Sequence, residues 1–231
     1  MTTLLLRLAG PLQAWGTESR FEVRDTGTEP SKSGVVGLLA AALGRPRARP
    51  VDDLAELRMG VRVDQPGAVR IDFHTAENVA RVPGKEPDQK NTVVSRRAYL
   101  SDADFLVGLE GDRQLLATLD EALAAPRWPL FLGRKSCPPS LPVRLPDAPP
   151  DGPGLVDLPL EPALRSVGWR PPFGRDRDGT RLRVVLEDDA GEAVRYDQPV
   201  GAAFADRTFA PRRTRTAFLT VGTDVEIIED E

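Results

Sequence analysis

Apolar residues occur in short segments separated by polar turns, and their spacing predicts a mixture of strands and helices. The run from Thr3 to Leu8 is largely apolar and closes at Gly10-Pro11, which is typical of a buried strand followed by a turn. We expect this turn to present Gln13 and Trp15. The first element is therefore predicted to be a core strand that leads into a functional loop.

A helix is predicted next, because Ser31 or Ser33 can cap a segment that continues through Leu43 and stops at Gly44. Apolar residues surround the axis of this segment, so the helix should be largely buried. A short helix is expected near residues 51–57. The alternating patterns at 61–63 and 69–73 predict two strands that pair about a turn at residues 65–67.

Residues 76–96 are basic and lack a core-building period, which predicts a long protruding hairpin. A strand from Tyr99 to Leu109, an amphipathic helix from Asp112 to Ala124 and a strand from Leu130 to Leu132 follow. This order of elements predicts an α+β fold with a ferredoxin-like unit over residues 1–146. A linker rich in proline and glycine is predicted at 147–153, before a smaller β-rich C-terminal part at 154–231.

Composition narrows the class of protein. The chain has 231 residues, a net charge of −4 and a single cysteine, Cys137, which excludes an intramolecular disulfide and a cysteine-based metal cluster. The negative net charge argues against nonspecific coating of nucleic acid through bulk charge. No apolar run approaches the roughly 20 residues that span a bilayer, and no basic region precedes the first apolar stretch. The sequence predicts a cytoplasmic protein that does not contact a membrane.

Metal or cofactor chemistry finds little support. His74 is the only histidine and the acids show no ligand-like spacing, so neither a metal site nor a cofactor is predicted. Residues 27–33 resemble a phosphate loop but lack the glycine before the lysine, which argues against a nucleotide hydrolase. A metal-free ribonuclease that uses His74, Tyr99 and a lysine stays open, because attack by a 2′-hydroxyl needs only a base and charge stabilisation.

Three basic groups point to an RNA backbone. Lys32 lies on the first turn of the predicted helix, where a cation is disfavoured unless an anion binds there. Arg97 and Tyr99 share one strand face, and a pair of cations follows the glycine at 133. With the amide and the indole of the first turn, the candidate RNA-binding residues are Gln13, Trp15, Lys32, Ser33, Arg97, Tyr99, Arg134 and Lys135.

The motifs that carry these residues resemble a known family. LRLAGPLQAWG at 6–16, PSKSGVVGLL at 30–39, DFHT at 72–75, RAYL at 97–100 and LGRKSCP at 132–138 resemble the CasD family, the type I-E form of the fifth class of CRISPR-associated proteins. The resemblance covers residues 3–140 in order. It is looser in the C-terminal part, where RTFA at 207–210 carries most of it.

The resemblance implies a subunit of the Cascade surveillance complex, with a ferredoxin-like domain of the RAMP superfamily. Such subunits use a hairpin thumb, here residues 76–96, and cap the 5′ handle of the guide RNA (crRNA) for antiviral defence. It implies that Arg97 reads a base and that Lys32 and Arg134 hold phosphates. The implied partners are crRNA, the backbone subunit CasC and the large subunit CasA, with target DNA contacted only through the complex.

Two further classes of function remain open from the sequence. Type I-E systems cut precursor RNA with the separate subunit CasE, whereas type I-C relatives cut it themselves with a tyrosine, a histidine and a lysine. His74 and Tyr99 are present here, but no lysine occupies a matching position, so a non-catalytic subunit is the leading hypothesis. The first alternative is a metal-independent endoribonuclease that processes repeat RNA, and the second is a protein–protein scaffold.

Overall fold

The computed structural model describes residues 1–16, 23–77, 92–149, 151–172 and 179–226. Within these ranges the chain forms a mixed α/β fold around a large, mainly antiparallel sheet. The strands are β1 (Thr2–Gln13), β2 (Val23–Arg24), β3 (Arg58–Gln65), β4 (Ala68–Glu77), β5 (Thr92–Gly111), β6 (Leu155–Val156), β7 (Arg181–Glu187), β8 (Ala193–Val200) and β9 (Thr208–Thr220). The helices are α1 (Lys32–Leu43), α2 (Asp52–Ala55), α3 (Arg113–Ala124), α4 (Leu160–Ser166) and the 3₁₀ turn at Phe204–Asp206.

The sheet has the strand order β6-β1-β5-β3-β7-β9-β8, and β2 and β4 also pair with β5. Only the β2–β5 pairing is parallel among the described ladders. The 20-residue β5 is the central strand, because β1 and β2 flank it on one side and β3 and β4 on the other. Its N-terminal half therefore projects beyond the main body of the sheet.

Both faces of the sheet are covered, which explains the nearly continuous apolar character of β1. Leu4, Leu6 and Leu8 face a core that includes residues of α1 and α3. Leu5 points to the opposite face, into a second core formed with α4 and Trp169. The predicted buried strand is confirmed, although it continues past Gly10-Pro11 to Gln13 and resumes its register at Leu12 opposite Ser101.

The predicted hairpin turn at residues 65–67 is wrong. Strands β3 and β4 do not pair with each other; both pair antiparallel with β5, with a register shift near Gln65. The chain therefore keeps its direction through Pro66 and Gly67, and β3 and β4 follow one another along the same side of β5. The predicted strand at 130–132 is also not formed, because the Leu132 N–H donates to the Cys137 carbonyl at 2.7 Å and closes a loop.

Strands β4 and β5 form the base of the predicted thumb. They pair from Ala68 opposite Ser101 to Glu77 opposite Thr92, so the chain enters and leaves residues 78–91 at neighbouring positions. We call the described part of this hairpin, residues 68–77 and 92–101, the arm. Residues 78–91, which make up most of the predicted thumb, lie outside the described residues.

The predicted linker at 147–153 does not interrupt the sheet. After it, β6 pairs with β1, and β7 pairs with β3. The division into domains stays a prediction, since strands from both sides of the linker belong to one sheet.

Glu29 joins the loop before α1 to the C-terminal strands. Its carboxylate accepts a hydrogen bond from Arg183 at 2.8 Å and pairs with Arg195, while the side chain is only 4% exposed. Burial raises the pKa of this carboxyl, but the hydrogen bonds from Arg183 and Thr28 and the charge of Arg195 outweigh burial, so the pKa of Glu29 is lowered.

This pKa shift predicts that the stabilising contact of Glu29 with Arg183 and Arg195 weakens at acidic pH. Because the folded-state pKa lies below the ordinary 4.5, ionised Glu29 stabilises the fold above that pH, and the stabilisation is lost as the pH falls through the lower folded-state value. The difference in unfolding free energy between the natural protein and Glu29→Gln should therefore be largest above pH 4.5 and shrink at lower pH. Urea unfolding at several pH values measures it, with the exposed Glu56→Gln as the charge control. A difference that does not change with pH would contradict this assignment.

Candidate nucleic-acid interface

The N-terminus of α1 already contains an anion, and the protein supplies it. The backbone N–H of Lys32 donates to Asp197 Oδ2 at 2.8 Å, and Lys32 Nζ lies 2.9 Å from both carboxylate oxygens of Glu187. The side chain of Lys32 is 1% exposed. Burial lowers the pKa of Lys32, although the Glu187 carboxylate opposes that effect. This corrects the expectation that a phosphate explains the cation at this helix end.

Gln13 and Trp15 are turned inward rather than presented on a surface loop. Gln13 Nε2 donates to the carbonyls of Leu8 and Ala103, and Gln13 Oε1 accepts from the indole of Trp15 at 2.9 Å. The Trp15 ring packs against Gly34, where an added Cβ would lie 2.8 Å from the ring. Trp15 is 1% exposed and Gln13 is fully buried. Their partners are protein groups, so we assign Gln13, Trp15 and Lys32 to the support of the site.

Arg97, Tyr99 and Arg134 lie together at the base of the arm. Arg97 and Tyr99 share one face of β5, and the Arg134 guanidinium lies 4.6 Å from the centre of the Tyr99 ring. Arg134 Nη1 donates to the Ala98 carbonyl at 3.0 Å, and Nη2 donates to the carbonyls of Arg24 and Asp25. These contacts hold the guanidinium over the ring. We call Arg97, Arg134 and the exposed Lys135 the platform.

The loop that carries Arg134 and Lys135 is fixed by close packing at Gly133. This glycine has φ +84°, and an added Cβ would lie 1.7 Å from the carbonyl oxygen of Ala14. Only glycine tolerates this approach and this backbone conformation. Because Gly133 packs against Ala14, the two cations that follow it, Arg134 and Lys135, lie close to the loop that carries Trp15.

The platform retains capacity to bind an anion. Arg97 Nε donates to Ser95 Oγ at 3.1 Å, and no ion pair joins Arg97 or Lys135 to another described residue. Arg134 uses three N–H groups of the five that a guanidinium offers. A stacked guanidinium with unused donors suits both a phosphate and the face of a base.

A groove of about 870 Å³ begins at Lys135 and runs along α1. Ser33, Gly37 and Ala41 lie on its helical side, and residues 128–131 together with Phe204, Arg207 and Phe209 contribute to its walls. Ser33 is partly exposed there. Four further residues line the groove and were not among the residues predicted from the sequence: Arg47, Trp128, Phe204 and Arg207. The pair Trp128-Pro129 could have indicated a loop that exposes an aromatic side chain. In contrast, no local sequence pattern indicates that residues 204–207 lie near α1.

His74 lies on the same face of the arm as Arg97, but it is remote from Tyr99. Its ring is exposed and Nδ1 lies 4.0 Å from Asp72 Oδ2, while Tyr99 pairs across the arm with Arg70. Because His74 is four residues beyond Arg70, it lies roughly 13 Å farther along the strand at 3.3 Å per residue. The arrangement therefore does not bring a histidine and a tyrosine together for ribonuclease chemistry.

The described residues contain no cluster of three or more side chains suited to a metal ion. In the same part of the chain, no helix is long and apolar enough to cross a bilayer.

Comparison with known proteins identifies the family to which this chain is similar. The family model described as "CRISPR-associated protein (Cas_Cas5)" matches residues 3–218. The "CRISPR system Cascade subunit CasD" of Escherichia coli (strain K12) is 36% identical over 153 residues. That alignment covers 58% of this chain and 66% of the relative, just under two thirds of its length.

Two solved structures resemble nearly the whole chain. One, described as "Crystal structure of Cas protein", is 48% identical with a TM-score of 0.73 and covers 97% of this chain and 98% of that one. The other, described as "CRISPR RNA-guided surveillance complex", is 34% identical with a TM-score of 0.78 and covers 96% of this chain and 92% of that one. Both likenesses include the C-terminal strands, which the sequence motifs covered only loosely.

Proposed function

Because the chain belongs to the Cas5 family of CRISPR-associated proteins, we propose that it is a non-catalytic crRNA-binding subunit of a type I-E Cascade surveillance complex. In this role it caps the 5′ handle of the guide RNA. The observation that carries the proposal is the platform, where the Arg134 guanidinium lies over the Tyr99 ring at the base of the arm and Arg97 shares the strand face of Tyr99. Such a stacked cation binds an RNA backbone or an unpaired base.

The roles within the proposed site differ from one residue to another. Arg134 and Lys135 contact phosphates, and Arg97 contacts a base edge or a phosphate beside them. Tyr99 is 7% exposed, so its contribution is to hold Arg134 in place. Ser33 can donate its hydroxyl to the RNA from the first turn of α1. Gln13, Trp15 and Lys32 act from the interior as supports.

The proposal includes a ferredoxin-like organisation for the N-terminal part of the chain. The antiparallel strand order β6-β1-β5-β3, with α1 and α3 packed on one face, supports it. Under this assignment β6 supplies the fourth strand, which moves the end of the unit slightly beyond the predicted linker. We also propose that the complex functions in the cytoplasm.

The arm is proposed to contact other Cascade subunits, with CasC and CasA as the expected partners. One face of β4 carries Val69, Ile71 and Phe73, which are 56%, 71% and 65% exposed. A contiguous exposed apolar stripe of this kind marks a protein contact. The opposite face carries Arg97 and lies on the side of the platform.

This arm contact predicts a selective assembly defect. The double variant Ile71→Asp, Phe73→Asp should reduce co-purification with the other subunits by about tenfold or more. Each substitution places a charge where the proposed interface would bury an apolar side chain. The melting temperature should change little, since both side chains are exposed in the isolated chain. Val194→Asp, at an exposed valine of β8, is the matched control. Normal assembly of the arm variant would remove this stripe from the interface.

The proposed function is tested by mixing the complete chain with end-labelled single-stranded repeat RNA in EDTA across a salt series. Native gels report binding and denaturing gels report cleavage. We expect intact RNA and an affinity that falls with salt, with a slope of about −0.7 per phosphate contact. A discrete cut abolished by His74→Ala would instead establish the metal-independent ribonuclease, and an affinity independent of salt would favour the protein scaffold.

A further inference from the structure

The groove along α1 has a chemistry unlike the rest of the chain. Four cationic side chains line it, and no carboxylate is among its described lining residues. This contrasts with a chain that has 35 acidic residues and a net charge of −4. The cations are Arg45, Arg47, Lys135 and Arg207. Arg45 pairs with Asp53, so the remaining three give the groove its positive potential.

Aromatic side chains line the same groove as these cations. They are Trp128, Phe131, Phe204 and Phe209, and the Arg47 guanidinium lies 6.0 Å from the centre of the Phe204 ring. Trp128 is 41% exposed although tryptophan is rarely left in water. Its backbone N–H donates to the Ala41 carbonyl at 3.2 Å, so the loop that carries it is fixed to α1. Cations interleaved with aromatic plates are characteristic of a path for single-stranded nucleic acid.

The C-terminal wall is held rigidly in position. The backbone N–H of Phe204 donates to the Arg49 carbonyl at 3.2 Å, and that of Ala205 donates to the Arg47 carbonyl at 2.8 Å. The Phe204 ring approaches Gly37, where an added Cβ would lie 3.4 Å away. Arg207 follows in the left-handed region with φ 52°, which is an unfavourable conformation for a side chain with a Cβ. Strain of this kind concentrates at functional positions.

We propose that this groove receives an unpaired nucleotide of the bound RNA, whose base stacks on Trp128 and whose phosphates are met by Lys135 and Arg207. The inference rests on the proposed function, because Lys135 belongs to both the platform and the groove. It assigns the segment at 203–209 to the RNA site itself. The C-terminal part then contacts RNA directly, in addition to completing the sheet.

The chain provides its own probe for this subsite. It has three tryptophans, of which Trp15 and Trp169 are 1% and 0% exposed, so Trp128 alone can respond to a ligand at the surface. Titration with single-stranded repeat RNA should quench the tryptophan emission and protect it from acrylamide. Trp128→Phe should abolish the fluorescence change while retaining most of the affinity, and Trp128→Ala should weaken binding about tenfold through loss of one stacked base.

Two matched controls separate the subsite from general effects. Tyr196→Ala removes an aromatic ring that is 66% exposed and lies outside the groove, and Arg113→Ala removes a similarly exposed cation on α3. Neither should change the affinity, whereas Arg207→Ala should weaken binding and reduce the salt slope by about 0.7. Circular dichroism melts confirm that each variant is folded.

The possible outcomes distinguish this inference from the proposed function. Wild-type affinity in Trp128→Ala and Arg207→Ala, with loss of binding in Lys135→Ala, would overturn the subsite and leave the RNA-binding role intact. Loss of subunit co-purification in Trp128→Ala without loss of RNA affinity would also overturn it, because the groove would then be a protein contact. A natural chain that binds no RNA would contradict the proposed function itself.

Discussion

Replacing Lys32 with methionine is expected to lower the free energy of unfolding by about 3 kcal/mol, the lower end of the range for a broken buried ion pair. The variant leaves Glu187 without the Nζ contact at 2.9 Å, in a site where Lys32 is 1% exposed. The loss stays at the lower end because Arg212 lies 3.7 Å from the same carboxylate. Urea unfolding monitored by circular dichroism measures the change.

A double variant provides the control. Lys32→Met combined with Glu187→Gln removes the carboxylate charge that Lys32 neutralises in the natural protein, so it should recover part of the lost stability. Wherever Lys32→Met is folded, its RNA affinity should fall much less than that of Arg134→Ala, because Lys32 is buried and pairs with Glu187. Unchanged stability with reduced RNA affinity would show that Lys32 holds a phosphate after all.

The second large effect is expected at Arg134. Arg134→Ala should weaken binding of single-stranded repeat RNA by about 10- to 100-fold at low salt, because a charged hydrogen-bonding group is lost at the centre of the platform. The variant also removes the hydrogen bonds from Arg134 to the carbonyls of Ala98, Arg24 and Asp25, which loosens the contact between β2 and the loop at 133–137. Fluorescence anisotropy with labelled RNA measures the affinity.

Two substitutions separate charge from geometry at the platform. Lys135→Ala removes a neighbouring charge that has no ion pair with a described residue, so it should cost less affinity than Arg134→Ala. Arg134→Lys keeps the charge but loses the guanidinium that lies over the Tyr99 ring and its forked hydrogen bonds, and we expect an intermediate affinity. Wild-type affinity in Arg134→Ala would remove the platform from the RNA site.

The elements that local chemistry determines could be predicted from the sequence. Ser31 accepts a hydrogen bond from the Gly34 N–H, and Gly44 ends α1 with φ 68°. Each of these depends on residues within four positions of one another, so the cap and stop signals were sufficient. The buried character of β1 and α1 followed from their apolar patterns in the same way.

Features that depend on distant residues could not be predicted. The cation at the start of α1 correctly indicated an anion, but the sequence could not show that Glu187 and Asp197, more than 150 positions away, supply it. The bend at Pro66-Gly67 was mistaken for a hairpin because the pairing partner of both flanking strands is β5. The wall at 204–207 reaches α1 only through the C-terminal strands, so no local pattern identified it.

The RNA path is tested most directly by photo-crosslinking a crRNA that carries 4-thiouridine at successive handle positions to the complete natural chain. Mass spectrometry then identifies the crosslinked peptides. We expect crosslinks to the platform peptides, residues 92–101 and 128–138. Crosslinks confined to surfaces outside the platform and the α1 groove, such as β7 and the second half of β9, would contradict this expectation.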